Sequence, residues 1–256
     1  MSAFILKIIA LSAMLIDHIG AVFPAHVPFA FRIIGRLTFP IFVYLIAEGF
    51  HHTRSAKKFL LRLMAFAIIS QIPYSWSINR SDNLLRGLSP WNVDFLNATN
   101  IFYTLFLGGL AIYIYQHILN AIVQKEETNK ESIYLTTSII AVGPVFGLMW
   151  LADFLGAEYG GYGIIFILLM YAIKPKWLKL AIFAIMNVLQ HRSLLQLIWE
   201  GRRFDMQFYM LIPATLITVP LIAFYNGKRG PSFKWLFYIV YPVHLAVLAL
   251  LAYVIL

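Results

Sequence analysis

Lys7 and His18 are the residues whose types and spacing first suggest chemistry. Eleven positions lie close to a whole number of helical turns. On a helix both side chains therefore leave one face, about 16 Å apart along the axis. A lysine at headgroup level and a histidine sunk in an apolar run could hold an elongated anionic ligand by its charged end. Its other end would then be carried inward. Acyl-coenzyme A has that shape: a phosphate-bearing nucleotide, a long pantetheine arm and a reactive thioester. An imidazole buried in hydrocarbon stays uncharged, which is the form that accepts a proton. An acceptor amine or hydroxyl must lose a proton as it attacks a thioester carbonyl. A positioned general base assists such a step by about 10²–10⁴-fold.

Other ionisable residues sit at similar depth, where each costs at least about 2.5 kcal/mol without a partner, a wet cavity or a function. Asp17 adjoins His18, Arg32 and Arg36 follow in the next apolar run, and Glu48 closes that run. Tyr241 and His244 flank Pro242 in the last one. Asp17 and His18 are the catalytic candidates. Adjacent helical positions diverge by about 100°, so Asp17 is better placed to pair with Arg32 or Arg36 than to orient its neighbour's ring. Arg32, Arg36, Glu48, Asn100, Tyr241 and His244 are candidates for substrate binding or carbonyl polarisation. Lys7, Arg54, Lys58 and Arg62 are candidates for the coenzyme's phosphates. Blander readings stand beside these. Lys7 also reads as a snorkelling helix-end lysine, the arginines and Glu48 as structural ion pairs, Asn100 as a helix cap and Tyr241-Pro242 as a kink. His51 and His52 read as end-of-helix residues, and no metal site is expected.

The elements that must position these residues are membrane helices. Of 256 residues, 61% are hydrophobic and 12% charged, whereas soluble domains carry about 25% charged residues. The net charge of +9 has no interleaved aromatic basic patch behind it, so nucleic acid is not an expected partner. The chain has no cysteine, which excludes disulfides, thiolate metal sites and thiol nucleophiles. Apolar runs place about nine transmembrane helices near 4–23, 30–50, 59–76, 101–122, 133–152, 160–173, 177–190, 207–225 and 235–255. The prediction is an all-α polytopic bundle forming one domain over residues 1–256. The first run carries Asp17 and His18 and has no clean cleavage site, so it reads as a retained helix. Cations cluster in alternate loops, at Arg54–Lys58, Lys125–Lys130, Lys174–Lys176 and Lys228–Lys234. Those loops and the N-terminus are expected in the cytosol, with the C-terminus outside. Residues 77–100 form a long polar outer loop. Residues 191–206 read as a short amphipathic helix at the interface.

The runs LKIIALSAMLIDHIG, FRIIGRLTFPIFVYLIAEGF and HTRSAKKFLLRLMAFAIISQIPY resemble the TraX family of membrane proteins, as do LNATNIFYTLFLGGL, EYGGYGIIFILLMY and FYNGKRGPSFKWLFYIVYPVHL. The likeness covers nearly the whole chain, and IDHIG and GRLTFPIFVYLIAEG are its most specific parts. The family's named activity is N-terminal acetylation of a conjugative pilin subunit. It is also similar to multi-pass acyltransferases of surface glycans, in which a basic residue precedes a first-helix histidine by the spacing seen between Lys7 and His18, usually as arginine. The resemblance implies that His18 is the catalytic base and that acetyl-CoA enters from the cytosol. It leaves the acceptor open between a pilin N-terminus and a glycan.

The expected function is acetyl transfer from cytosolic acetyl-CoA to an envelope protein or glycan by a multi-pass protein of the bacterial inner membrane, with membrane lipid as its surroundings. An ion-coupled transporter using the same buried charges is the competing class, although neither related halves nor paired broken helices are apparent in the sequence. A non-enzymatic envelope assembly factor is the third.

Overall fold

A computed structural model describes residues 1–78, 98–123, 130–231 and 233–255, without the side chains of residues 130–132 and 234. Most of the polar loop 77–100, and Lys125, lie outside the described residues. The elements are α1 (Ala3–Val22), α2 (Ala30–Gly35), α3 (Thr38–His52), α4 (Ala56–Ser77), α5 (Ile101–Val123), α6 (Lys130–Phe154), α7 (Gly160–Ala172), α8 (Lys176–Leu189), α9 (Arg192–Trp199), α10 (Met206–Tyr209), α11 (Leu211–Leu216), α12 (Thr218–Ala223) and α13 (Lys234–Ile255). Apart from one isolated bridge between Thr99 and Ala157, the described residues contain no β-structure. An all-α architecture is what a lipid solvent requires, since a helix satisfies its own backbone polar groups.

Prolines explain where the apolar runs break. A proline lacks an N–H and clashes with the carbonyl four residues earlier. Pro213 follows the end of α10 at Tyr209 by that interval, and Pro220 follows the end of α11 at Leu216 by the same one. Pro40 likewise stands four residues after Arg36, where α2 gives way to α3. Thus the expected helices 30–50 and 207–225 are each segmented. Pro73, Pro144 and Pro242 lie inside continuous helices.

Among the described residues seven helices are long and apolar enough to cross a membrane, or eight if the bent pair α8 and α9 counts as one span. The expectation of nine is corrected by length. α7 has 13 residues, a rise of about 20 Å against a hydrocarbon core of about 30 Å. α8 has 14 residues and turns by 61° into α9. α9 is the expected amphipathic helix, with Trp199 standing 92% exposed. Leu61, Leu135, Ile139, Phe146 and Trp150 are also exposed on helix faces, as lipid-facing side chains are in a multi-pass membrane protein.

The chain divides into two compact units. One comprises Met1–Leu45, Ile69–Asp94 and Ile173–Leu256, the other Ile46–Ile68 and Phe95–Ala172. In the second, α5, α6 and α7 pack on one another, and Gly108 admits the side chain of Ile167 against α5. In the first, α1 packs between α2 and α13, and α8 packs on α11 and α12. The opening turn of α1 is tied to the loop before α13. Ala3 N–H donates to the Lys228 carbonyl at 2.9 Å and Phe4 N–H to the Arg229 carbonyl at 3.1 Å, which satisfies donors that a helix start leaves open.

α1 and α13 run parallel. Phe4 meets Phe233 and Phe237 near their beginnings, and Val22 meets Leu248 and Ala252 near their ends. Parallel first and last spans require an odd number of crossings. The expected consequence is measurable, because the chain has no native cysteine to confuse labelling. A cysteine at Ser2 and one at Val254 should be modified by impermeant maleimide from opposite sides of the membrane. Labelling of both from the same side would contradict the parallel arrangement.

Candidate functional site

The site lies in the first unit, where α1 meets α2 on one side and α13 on the other. Gly20 and Gly35 let α1 and α2 approach. A Cβ on Gly20 would come within 2.8 Å of the Phe31 Cβ, and one on Gly35 would overlap the carboxylate of Asp17. That closeness delivers Asp17 to both arginines at once. Its Oδ1 accepts from Arg32 Nη1 at 2.9 Å and from Arg36 Nη2 at 3.2 Å. Arg32 also donates to the Asp17 main-chain carbonyl at 3.1 Å, and Arg36 Nε donates to the Arg32 carbonyl at 3.1 Å. The expected pairing across the first two helices is therefore found with both partners, so Asp17 serves the arginines. Two guanidiniums against one carboxylate leave positive charge beside His18. Gly35→Ala should destabilise the protein by about 1–3 kcal/mol, the usual cost of overpacking, read as a lower melting temperature in detergent. An unchanged melt would mean that Asp17 has room elsewhere.

On the other side of α1, His18 is buried, with 7% of its surface exposed. Its Nδ1 lies 2.6 Å from Nε2 of His244 on α13. The two rings are almost coplanar, at 10°, with centroids 4.9 Å apart. Two ring radii and the N···N separation account for nearly all of that distance, so the rings meet edge to edge in line. His244 Nδ1 lies 2.7 Å from the Val240 carbonyl, one turn back on its own helix. A carbonyl can only accept, so His244 Nδ1 carries the hydrogen. With both rings neutral, His244 Nε2 is then an acceptor, and His18 Nδ1 must carry the hydrogen between them. The lone pair of His18 is left on Nε2. Tyr241, 2% exposed, sets its ring edgewise to both imidazoles, with centroids 5.9 Å from His18 and 5.6 Å from His244.

Lys7 also faces α13, its Nζ 5.4 Å from the centre of the Phe237 ring. Lys7 and His18 thus share the face that their spacing implied, at two levels of one helix pair. The remaining candidates belong to the second unit's residues. Glu48 Oε1 is 2.9 Å from His52 Nε2, one turn along α3. Arg54 and Lys58 are exposed at the α3–α4 turn, and Arg62 lies over the Phe59 ring at 5.8 Å. Asn100 caps α5 by accepting from Phe102 N–H at 3.0 Å, and donates to the Ala67 carbonyl at 2.8 Å. The capping alternative describes Asn100. Among the described residues no group of three or more metal-ligating side chains occurs.

Two features of the first unit escaped the sequence reading. Asn187 on α8 donates to Thr218 Oγ1 on α12 at 3.3 Å, and His191 Nε2 is 3.4 Å from Thr215 Oγ1 on α11. All four side chains are buried. The i,i+4 spacing of Asn187 and His191 and the i,i+3 spacing of Thr215 and Thr218 would have pointed to one face each. The second feature is a cleft of about 180 Å³ lined by Lys174, Lys176, Lys179, Tyr44 and Tyr225 with two aliphatic side chains. In the sequence Lys174 and Lys176 mark only the cytosolic side, and Lys179 falls within an expected span.

Comparison with known proteins supplies the context for this geometry. The family model described as TraX protein matches residues 2–252. A protein of Dichelobacter nodosus named "Probable fimbrial assembly protein FimC, serogroup H1" is 31% identical over 256 residues, covering 96% of this chain and 94% of that protein. No solved structure matches.

Proposed function

The chain belongs to the TraX family, and from that premise we propose that it is an inner-membrane acetyltransferase with His18 as general base. The observation that carries the proposal is the in-line bond from His18 to His244, which fixes the His18 tautomer and leaves Nε2 as the basic atom. The donor is acetyl-CoA, entering from the side where α1 begins. An acceptor amine or hydroxyl attacks the thioester carbonyl, a C–N or C–O bond forms, and His18 Nε2 takes the acceptor's proton. The tetrahedral intermediate then expels the coenzyme thiolate as the C–S bond breaks, and the proton on His18 passes to that thiolate. Positive charge in excess at Arg32 and Arg36 suits the oxyanion that develops meanwhile. His244 is a positioning residue, holding the imidazole in one orientation as a carboxylate does in a catalytic triad.

The acceptor is an envelope molecule. The name of the D. nodosus relative, a probable fimbrial assembly protein, favours a pilin or another fimbrial component over a surface glycan. The same name supports a second reading, a non-enzymatic assembly factor that docks envelope proteins through α9. One assay separates the two. Detergent-solubilised protein should release free coenzyme A from acetyl-CoA when an envelope extract is added, and mass spectrometry should find a 42-Da gain on an extract component, the mass of one acetyl group. Absence of both with folded protein would leave only the assembly role.

The same assay tests His244. His244→Phe should lower kcat about 10–100-fold, the range seen when an imidazole loses its orienting partner, with KM for acetyl-CoA little changed. His244→Gln, whose Oε1 can accept from His18 Nδ1–H, should recover most of that loss. Equal activity in the Phe and Gln variants would remove His244 from the mechanism.

A further inference from the structure

We propose that the cleft between Tyr44, Tyr225 and the three lysines at the start of α8 is where the phosphorylated nucleotide end of the acyl donor binds. This rests on the acetyl-CoA reading above and assigns that ligand its anchoring site. Lys174, Lys176 and Lys179 are three of the seven residues that line the cleft, and Lys176 sets its Nζ 5.9 Å from the centre of the neighbouring Trp177 ring. Three lysines around one small cleft are a recognition chemistry for a polyanion, because an ammonium on a flexible stem acts as a point charge toward phosphate oxygens. α8, a helix of 14 residues, begins here behind Pro175 with no side chain capping its first turn, so its positive end adds to the lysines. Tyr44 and Tyr225 stand edge to face, with centroids 5.6 Å apart, and contribute aromatic surface to the lining beside the lysines. A cleft of about 180 Å³ has room for a phosphate and part of its nucleoside, which leaves the arm of the coenzyme outside.

Position agrees with chemistry. Tyr225 adjoins Asn226, whose N–H donates to the Met1 carbonyl at 3.0 Å. The cleft therefore lies at the end of the unit where α1 begins. From Ser2 to His18 the helix rises by about 24 Å. A ligand gripped by its phosphates at the cleft needs a long flexible arm to bring a thioester near His18, and coenzyme A has one. Lys7, against the Phe237 ring, stands along that course.

The phosphates could also be those of a lipid headgroup, and the test separates the sources. Adenosine 3′,5′-bisphosphate, the phosphorylated end of coenzyme A without its arm, is titrated calorimetrically into the full chain in neutral detergent. The expected result is binding by wild type that weakens at least tenfold in Lys176→Gln/Lys179→Gln, with KM for acetyl-CoA raised similarly and kcat retained. Addition of phosphatidylglycerol should leave the bisphosphate affinity unchanged. No binding by wild type, equal binding by the variant, or displacement by phosphatidylglycerol would each overturn the assignment. Failures of the two proposals differ. Acetyl transfer with an unchanged KM in the variant removes the cleft and keeps the enzyme. Lysine-dependent bisphosphate binding without transfer keeps the cleft and removes the enzyme.

Discussion

Replacing His18 with alanine should abolish acetyl transfer, lowering kcat by about 10²–10⁴-fold, the contribution of a positioned general base. The size follows from the site's geometry. With His244 Nδ1 held on the Val240 carbonyl at 2.7 Å, the basic nitrogen left in the alanine variant is His244 Nε2, which stops short of the place of His18 Nε2 by the width of the missing ring. Alanine also strands the acceptor nitrogen of His244, which costs about 1–3 kcal/mol if nothing replaces the bond. Loss of activity alone could then reflect loss of folding. His18→Asn resolves this, because its Nδ2 stands where the imidazole Nδ1 does and can still donate to His244, while no basic nitrogen remains. The expected outcome is a melting temperature near that of wild type with transfer as low as in the alanine variant. Substantial transfer by either variant would show that another group accepts the proton.

Asp17→Ala should be the most destabilising single substitution in this unit. It leaves Arg32 and Arg36, which share Asp17 Oδ1 at 2.9 and 3.2 Å, facing each other without a carboxylate. Removing one partner of a buried pair costs about 3–5 kcal/mol. The low end, about 3 kcal/mol, is expected here, because the Arg32 side chain is 34% exposed and water screens part of the charge. Stability against sodium dodecyl sulfate is the readout. A compensated variant makes the cause specific: Asp17→Asn combined with Arg36→Gln removes one charge of each sign and should regain part of the loss. If the double variant is no more stable than Asp17→Ala, the carboxylate matters for packing and not for charge.

Much of this was written in local patterns. Each helix boundary of α1, α4 and α5 falls close to the edge of an apolar run, because hydrocarbon admits only backbone that is internally bonded. The shared face of Lys7 and His18 follows from 3.6 residues per turn, and both side chains do meet α13. The pairing of Asp17 with the arginines followed from the cost of unpaired charge in lipid. Less legible were the interruptions. Pro213 and Pro220 sit at the breaks while Pro144 and Pro242 sit within intact helices, and an apolar run by itself does not distinguish them. The count of spans suffered for the same reason, since hydropathy marks α7 and α8 without measuring whether they reach across.

What the sequence determined by itself is the membrane setting, the depth of each ionisable residue and the face it occupies, all properties of one helix in one solvent. Only the tertiary structure decided which faces meet. His18 finds its partner 226 positions away, and the lysine cleft is assembled from three separate stretches around residues 44, 174–180 and 222–225. Such encounters depend on how helices pack, on small residues such as Gly20 and Gly35 that let backbones approach, and on prolines that redirect them. Helical periodicity places a histidine on a face; packing against α13 supplies the second imidazole that fixes its tautomer.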